Sequence, residues 1–363
     1  MENIPLIKVA MPDRSLLIPE LESVLYSGMV GEGEYVYQFE KEFQKKFNLN
    51  NVLAVNSGTA ALHLSLVLSG VGIGDEVLTT SMTAEPTNTT IVNCGAIPVF
   101  CDVDLTNGNI CQHSARERIT SKTKAICVVH YAGYPVDIVA FRKLADEFGI
   151  PLIEDCAHAL GATVNGDSVG SFGDFALFSF QAIKHITTID GGVLVVKDED
   201  KVERAKRLRW FGLTKGVSRS EVDIVESGYK YNMNNVTAAF GLAQLKRVDE
   251  LIKKHQENGN FFDQAFDSIQ SVTPGHNYKE SKGSYWIYTL LSDDSDKLES
   301  VLMKKGIMAS KLHRPNHYHS VFGAKAANLP QLEKFYQKLL HIPCGWWLSE
   351  QERDYISSVV ASF

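Results

Sequence analysis

Several features are scarce in this chain of 363 residues. None of its six cysteines forms a C-x-x-C pair, no uncharged apolar run approaches the ~18 residues of a membrane span, and no segment repeats. Cys94, Cys101, Cys111, Cys127, Cys156 and Cys344 therefore read as reduced thiols, several of them inside apolar runs such as AICVV and IPVFCDV. Basic residues are outnumbered, 36 against 43 acidic, a net charge of −7 that supplies no surface for a nucleic acid polymer or an anionic membrane. The first fifteen residues carry Glu2 and Asp13 and lack the apolar stretch of a signal peptide, so a cytoplasmic location is expected. At 44% hydrophobic and 22% charged residues, the composition excludes disordered, collagenous and coiled-coil chains.

A correctly placed dinucleotide fingerprint is also missing. GVGIGDE (70–76) has the glycines, but it follows a helical pattern and precedes a strand, the reverse of what a phosphate loop needs. A helix-to-strand turn is expected there, and nicotinamide chemistry loses its main support.

What is present is alternation. Val36, Phe39, Phe43 and Phe47 have helical spacing, NVLAV reads as a strand, 57–68 as a helix, DEVLTT as a strand and 84–94 as a helix. IPVFCDV, KAICVVH and IPLIED read as buried strands, with a helix over 137–148 between the last two. Strands apolar on both faces, alternating with helices, predict an α/β fold: a mostly parallel sheet covered on both sides. Short strands or hairpins are expected over 162–196, a charged helix near 199–209, and one long helix from Asn234 past Leu251. Beyond residue 250 the pattern of SYWIYTLLS, DKLESVLMKKG and two terminal helices predicts a smaller α+β unit. The expected division is a large domain over 1–248 and a small one over 249–363.

Three places on this scaffold carry chemistry. NSGTAALH follows a strand and opens a helix, so the amides of Ser57, Gly58 and Thr59 can cradle a phosphate, although Ser57 is equally suited to be an N-cap. Glu154 and Asp155 stand where an apolar strand ends, at the edge where such sheets bind ligands, or else cap the next turn. Lys184, in FSFQAIKHITT, lies after a strand between Ser179 and Thr187. Phosphate cradle, strand-end acid and lysine together suit pyridoxal phosphate, which needs an anion site, a partner for its ring nitrogen and an amine for its aldehyde.

At these residues the chain resembles the DegT/DnrJ/EryC1/StrS sugar aminotransferases, pyridoxal-phosphate enzymes of the aspartate aminotransferase fold. The matching pieces, in the family's order, are NSGTAALHLSL, GDEVLTTSMT, PVFCDVD, IPLIEDCAHALGA, GDFALFSFQAIKHITTIDGG, RLRWFG and YKYNMNNVTAAFGLAQL. The resemblance implies that Lys184 forms the Schiff base and shuttles the proton, Asp155 pairs with the ring nitrogen, and His158 sits near the phenolic oxygen. It also implies that Ser179, Gly58 and Thr59 hold the phosphate. Ala84 occupies a position where relatives often have an aromatic that stacks on the ring, and Lys230 one where many carry an asparagine reaching the neighbouring subunit's phosphate. His313, Arg314 and His185 are the candidate substrate-binding residues.

The implied reaction transfers an amino group, with L-glutamate as donor, to a keto group on a nucleotide-linked deoxysugar, in a homodimer with shared active sites. Alternatives are a dehydratase of the same fold, which replaces the lysine by histidine, and a cofactor-binding regulatory protein. His313, His317 and His319 lack an accompanying acid or cysteine at ligand spacing, so no metal is expected.

Overall fold

The computed structural model describes residues 3–323 and 328–363. Strands Val52–Val55 (β1), Glu76–Thr80 (β2), Ile97–Cys101 (β3), Thr123–Val129 (β4) and Leu152–Asp155 (β5) come first. A short hairpin follows, Thr163–Val164 (β6) and Asp167–Ser168 (β7), and then Phe175–Ser179 (β8) and Gly192–Val196 (β9). The central sheet has seven strands in the order β3-β2-β4-β5-β8-β9-β1. β3, β2, β4, β5 and β8 pair in parallel, whereas β9 is antiparallel to both β8 and β1, so every strand but β9 runs the same way. The GGVLVV run thus joins the main sheet, and the 180–191 connection carrying Lys184 sits at the ligand-binding edge of the strands.

Within β4, Ile126 and Val128 enter one core and Ala125 and Cys127 the other, the period-2 pattern of a sheet buried on both faces. Helix Gly58–Leu68 (α3, after Arg14–Tyr26, α1, and Glu34–Phe47, α2) covers one face with Leu62 and Leu66 against Ile153, Leu177 and Leu194. Glu85–Asn93 (α4) and Gln112–Glu117 (α5) follow. The opposite face is covered by α2 and by Ile138–Phe148 (α6), the helix capped by Asp137. The helical spacing of α2 has a direct readout: Phe39 lies 5.7 Å from Phe180 and Phe43 lies 5.5 Å from Phe178, edge to face. α1 gives almost no sequence signal, because it contains Pro19 and buries only Leu17 and Val24.

After Val202–Arg209 (α7), the expected long helix is two: Asn235–Leu245 (α8) and Val248–Phe266 (α9). The break falls where Gln244 and Arg247 turn to the N-terminal segment, their side chains donating to the Ala10 and Met11 carbonyls at 2.6 and 3.1 Å. α9 bridges the cores, with Leu251 and Ile252 in that of the sheet and Phe262 and Phe266 in a second. Thr273–Pro274 (β10), Ser281–Lys282 (β11), Tyr288–Leu291 (β12), Ser295–Lys304 (α10), Pro330–Lys338 (α11), Leu339–Ile342 (β13) and Glu350–Ala361 (α12) complete the chain. β10, β12 and β13 form a small sheet in that second core, which also takes in Ile4, Phe100 and Tyr131. The SYWIYTLLS run is strand only from Tyr288; Tyr285 has φ +46°, and the turn at 284–286 directs Trp286 to the site.

Candidate active site

β1 ends at Val55 and feeds directly into α3 through Asn56 and Ser57. Ser57 is extended and its hydroxyl accepts the Ala60 amide at 3.1 Å, so it is the N-cap. The amides of Gly58 and Thr59 are left in the first turn, where a helix has no internal partner for them. Close approach is built in: a Cβ at Gly58 would stand 2.7 Å from the Ser179 Cβ, and one at Gly192 2.7 Å from the Gly58 nitrogen. Two glycines therefore let the helix start rest on the ends of β8 and β9.

A cavity of about 390 Å³ opens here, and Ser57, Gly58, Thr59, Ala84, Asp155, His158, Ser179, Lys184 and His313 all line it. A larger groove, about 660 Å³, runs between α1, α2 and α8 past Tyr35, Lys45 and Lys246, but no strand end reaches it. Position at the strand ends, rather than volume, identifies the smaller cavity as the site.

The adjacent acids separate cleanly. Glu154 is fully buried and accepts the amides of Gly170, Phe172 and Gly173 at 2.9, 2.9 and 2.6 Å, and Nε2 of His130 at 3.1 Å. It is a structural brace. Asp155 faces the cavity and accepts the Ala157 amide at 3.1 Å and the Thr87 hydroxyl at 3.0 Å. Burial pushes its carboxyl above the ordinary value, opposed by those two hydrogen bonds and by the charges of Lys184 and His130. A cation placed against it in the cavity would satisfy the buried charge.

Burial lowers the Lys184 amine to about 8, with Asp155 acting in the opposite sense. Its Nζ lies 4.3 Å from the centre of the Trp286 ring. His158 stacks on Trp286 at 4.1 Å and 13°, and its Nδ1 is buried without a partner among the described residues. Burial first, then the Lys184 charge, holds His158 well below the usual imidazole range, so it is neutral. The same two causes bring His313 down to about 4, and its Nε2 too is buried and has no partner among the described residues. Phosphate cradle, strand-end carboxylate, amine and unpaired imidazole nitrogens fit the donor set that pyridoxal phosphate requires.

Other expected residues stand elsewhere. His185 is a correction: it does not line the cavity, its Nε2 is bonded to the Ser284 carbonyl at 3.0 Å and its ring packs on His255. Arg314 is likewise not in the cavity wall; it is exposed, its guanidinium 6.0 Å from the Tyr318 ring centre. Lys230 is exposed, bonded to Asn232 at 2.6 Å and held over Trp210 at 4.6 Å, away from the cavity of its own chain. The three nearby histidines diverge, His317 to Ser81 and Glu333 and His319 towards Glu85, while His313 alone enters the cavity. Ala84 presents only a methyl group, while Trp286 stands behind the cavity wall against His158 and the Lys184 amine. Sequence reasoning missed Trp286, inside an apparent strand, and Thr87, one threonine among several in α4.

The sequence profile of the DegT/DnrJ/EryC1/StrS aminotransferase family matches residues 13–361. Spore coat polysaccharide biosynthesis protein SpsC of Bacillus subtilis is 34% identical over 363 aligned positions, covering 94% of this chain and 93% of the relative. GDP-perosamine synthase of Vibrio cholerae is 36% identical over 82% of each chain. Among solved structures, sugar aminotransferase CalS13 from Micromonospora echinospora superposes with a TM-score of 0.95 at 35% identity over 99% of both chains. With the site geometry, these findings place the chain: it belongs to the DegT/DnrJ/EryC1/StrS aminotransferase family and is a pyridoxal-phosphate-dependent sugar aminotransferase.

Proposed function

We propose that this enzyme moves an amino group from L-glutamate to the keto group of a nucleotide-linked deoxysugar, for the aminosugars of a cell-surface polysaccharide. The observation that carries the reading is the meeting of Lys184, Asp155 and the α3 amides in one cavity. Pyridoxal phosphate, when bound, supplies an aldehyde that carries the amino group and a ring that takes up an electron pair. Ser179 and the amides of Gly58 and Thr59 would hold its phosphate, Asp155 its ring nitrogen, and His158 its phenolic oxygen.

The protein's own residues handle the proton. An amine held near 8 is a base that is partly neutral at physiological pH, suited to take a proton from the donor's Cα and return it. Neutral His158 offers a hydrogen bond without adding charge beside that amine. A lysine rather than a histidine at position 184 supports transamination over dehydration, and the net charge of −7 gives a nucleic-acid-binding regulator no support.

We further propose a homodimer in which Lys230 reaches the phosphate in the partner's site. Lys230 is exposed outside its own cavity, and an apolar surface including Tyr26 (85% exposed) and Met29 (67%) is available for a subunit contact. Six unpaired cysteines, four of them buried, fit a reducing cytoplasm.

The test is to load the enzyme with pyridoxamine phosphate and offer a panel of nucleotide-linked keto sugars. Return of the aldehyde form's absorbance with at least one, together with an aminated sugar product, is expected. Failure with the whole panel, while simple keto acids react, would overturn the sugar assignment.

A further inference from the structure

The residues on either side of Lys184 are held by one turn of the second core. Trp286, 1% exposed, donates its indole N–H to the Ile183 carbonyl at 2.8 Å, and the Ser284 carbonyl accepts from His185 at 3.0 Å. That turn is itself pinned. The Ser284 amide bonds the Gly133 carbonyl at 2.9 Å, the Tyr285 carbonyl accepts from His255 at 2.8 Å, and the Tyr285 hydroxyl donates to Asp263 at 2.7 Å. Gly133 is required for the approach, since a Cβ there would stand 2.6 Å from the main-chain nitrogen of Trp286. With both neighbours hydrogen-bonded to that turn, the main chain at Lys184 is tethered on each side, which leaves side-chain rotation as the freest movement of the amine.

That rotation has a destination. The Nζ lies 4.3 Å from the Trp286 ring centre, well inside the ~6 Å range within which an ammonium is attracted to an indole face. We infer that Trp286 is a positioning residue for Lys184: its N–H anchors the backbone beside the lysine, and its ring face is the dock where the protonated amine rests between taking the donor's proton and returning it. Burial disfavours the ammonium and the charge of Asp155 favours it, and the π face provides a second stabilising contact. The inference rests on Lys184 being the lysine that joins the cofactor.

Two variants and one spectroscopic signature test it. Trp286→Leu removes both N–H and face; Trp286→Phe keeps a face. Cofactor-free protein reductively methylated with ¹³C-formaldehyde should show the Lys184 methyl resonance, assigned by its absence in Lys184→Ala, displaced upfield by the indole ring current. The displacement should persist in part in Trp286→Phe and vanish in Trp286→Leu. In the loaded enzyme, Trp286→Leu should lower kcat about three- to thirtyfold, the range of a desolvated cation–π contact, with the KM for the amino donor little changed. Trp286→Phe should keep most of kcat, and it decides the question if the leucine variant does not fold. An undisplaced Lys184 resonance in the wild type, no ring-current shift in a folded Trp286→Phe, or wild-type kcat in Trp286→Leu overturns the docking role. Borohydride fixation of the cofactor followed by peptide mapping separates this from the reading beneath it. Cofactor attached to a different lysine would overturn both, whereas attachment to Lys184 with unmoved kinetics would overturn Trp286 alone.

Discussion

Replacing Asp155 with asparagine changes one charge and little else. The side chain accepts the Ala157 amide through Oδ1 and the Thr87 hydroxyl through Oδ2. Asparagine keeps the first contact with its own oxygen. Its amide nitrogen meets Thr87, whose hydroxyl then accepts, since it already shares a hydrogen bond with Thr83 at 3.0 Å. Local geometry survives and the negative charge proposed to face the cofactor nitrogen does not. Loss of one preorganised electrostatic partner in a buried site costs about 3–4 kcal/mol of transition-state stabilisation, about a hundred- to a thousandfold in the rate of amino transfer. Stability should move the other way. Burial raises the folded-state value of this carboxyl, so its contribution to stability is present below the ordinary carboxylate value and is lost as pH rises through the raised one. At pH 7 the ionised side chain is a cost, and cofactor-free Asp155→Asn should melt above the wild type, the difference shrinking towards acid. Single-turnover kinetics with glutamate and thermal melts at two pH values read both effects. If Asp155 is only a cap for the 156–158 turn, asparagine caps as well. An unchanged rate and an unchanged melting point would then refute the electrostatic role.

Lys184→Ala should abolish transamination, checked by product assay, and leave a folded protein. Because burial lowers this amine from 10.5 to about 8, the unfolded chain binds the extra proton between those values. Cofactor-free wild type should therefore gain stability across pH 8–10.5 relative to the variant, which denaturant titration at several pH values measures. Glu154→Gln turns a donor amide either towards the Phe172 and Gly173 amides or towards the Gly170 amide and His130, and should cost about 3 kcal/mol, seen as a lower denaturation midpoint; unchanged stability would contradict the bracing role. Lys230→Ala should weaken cofactor retention, and mixing it with Lys184→Ala should rebuild one complete site per heterodimer. No recovery of activity in verified heterodimers would count against a shared site.

The sequence was most informative where a chemical requirement is local. Helical spacing in α2, the cap and small residues of NSGTAALH, and a carboxylate ending an apolar strand are each set within a few residues, and the structure builds each as read. By itself it determined the layered α/β architecture and the grouping of Lys184, Asp155 and the α3 start, because strand ends of a parallel sheet meet at one edge. The residue pattern could not separate the two neighbours Glu154 and Asp155; the family resemblance pointed to Asp155, and the 170–173 loop supplies the physical reason, because it braces Glu154 on the opposite side. His185 shows the same limit. Adjacent to the lysine in sequence, it is turned away from the cavity by a hydrogen bond to Ser284, ninety-nine residues on. Trp286 lay in an apparent strand, and only the left-handed turn at Tyr285 brings it to the lysine. What tertiary structure alone decided were these contacts across long sequence separation, which depend on packing between the two cores and leave no periodicity in the sequence.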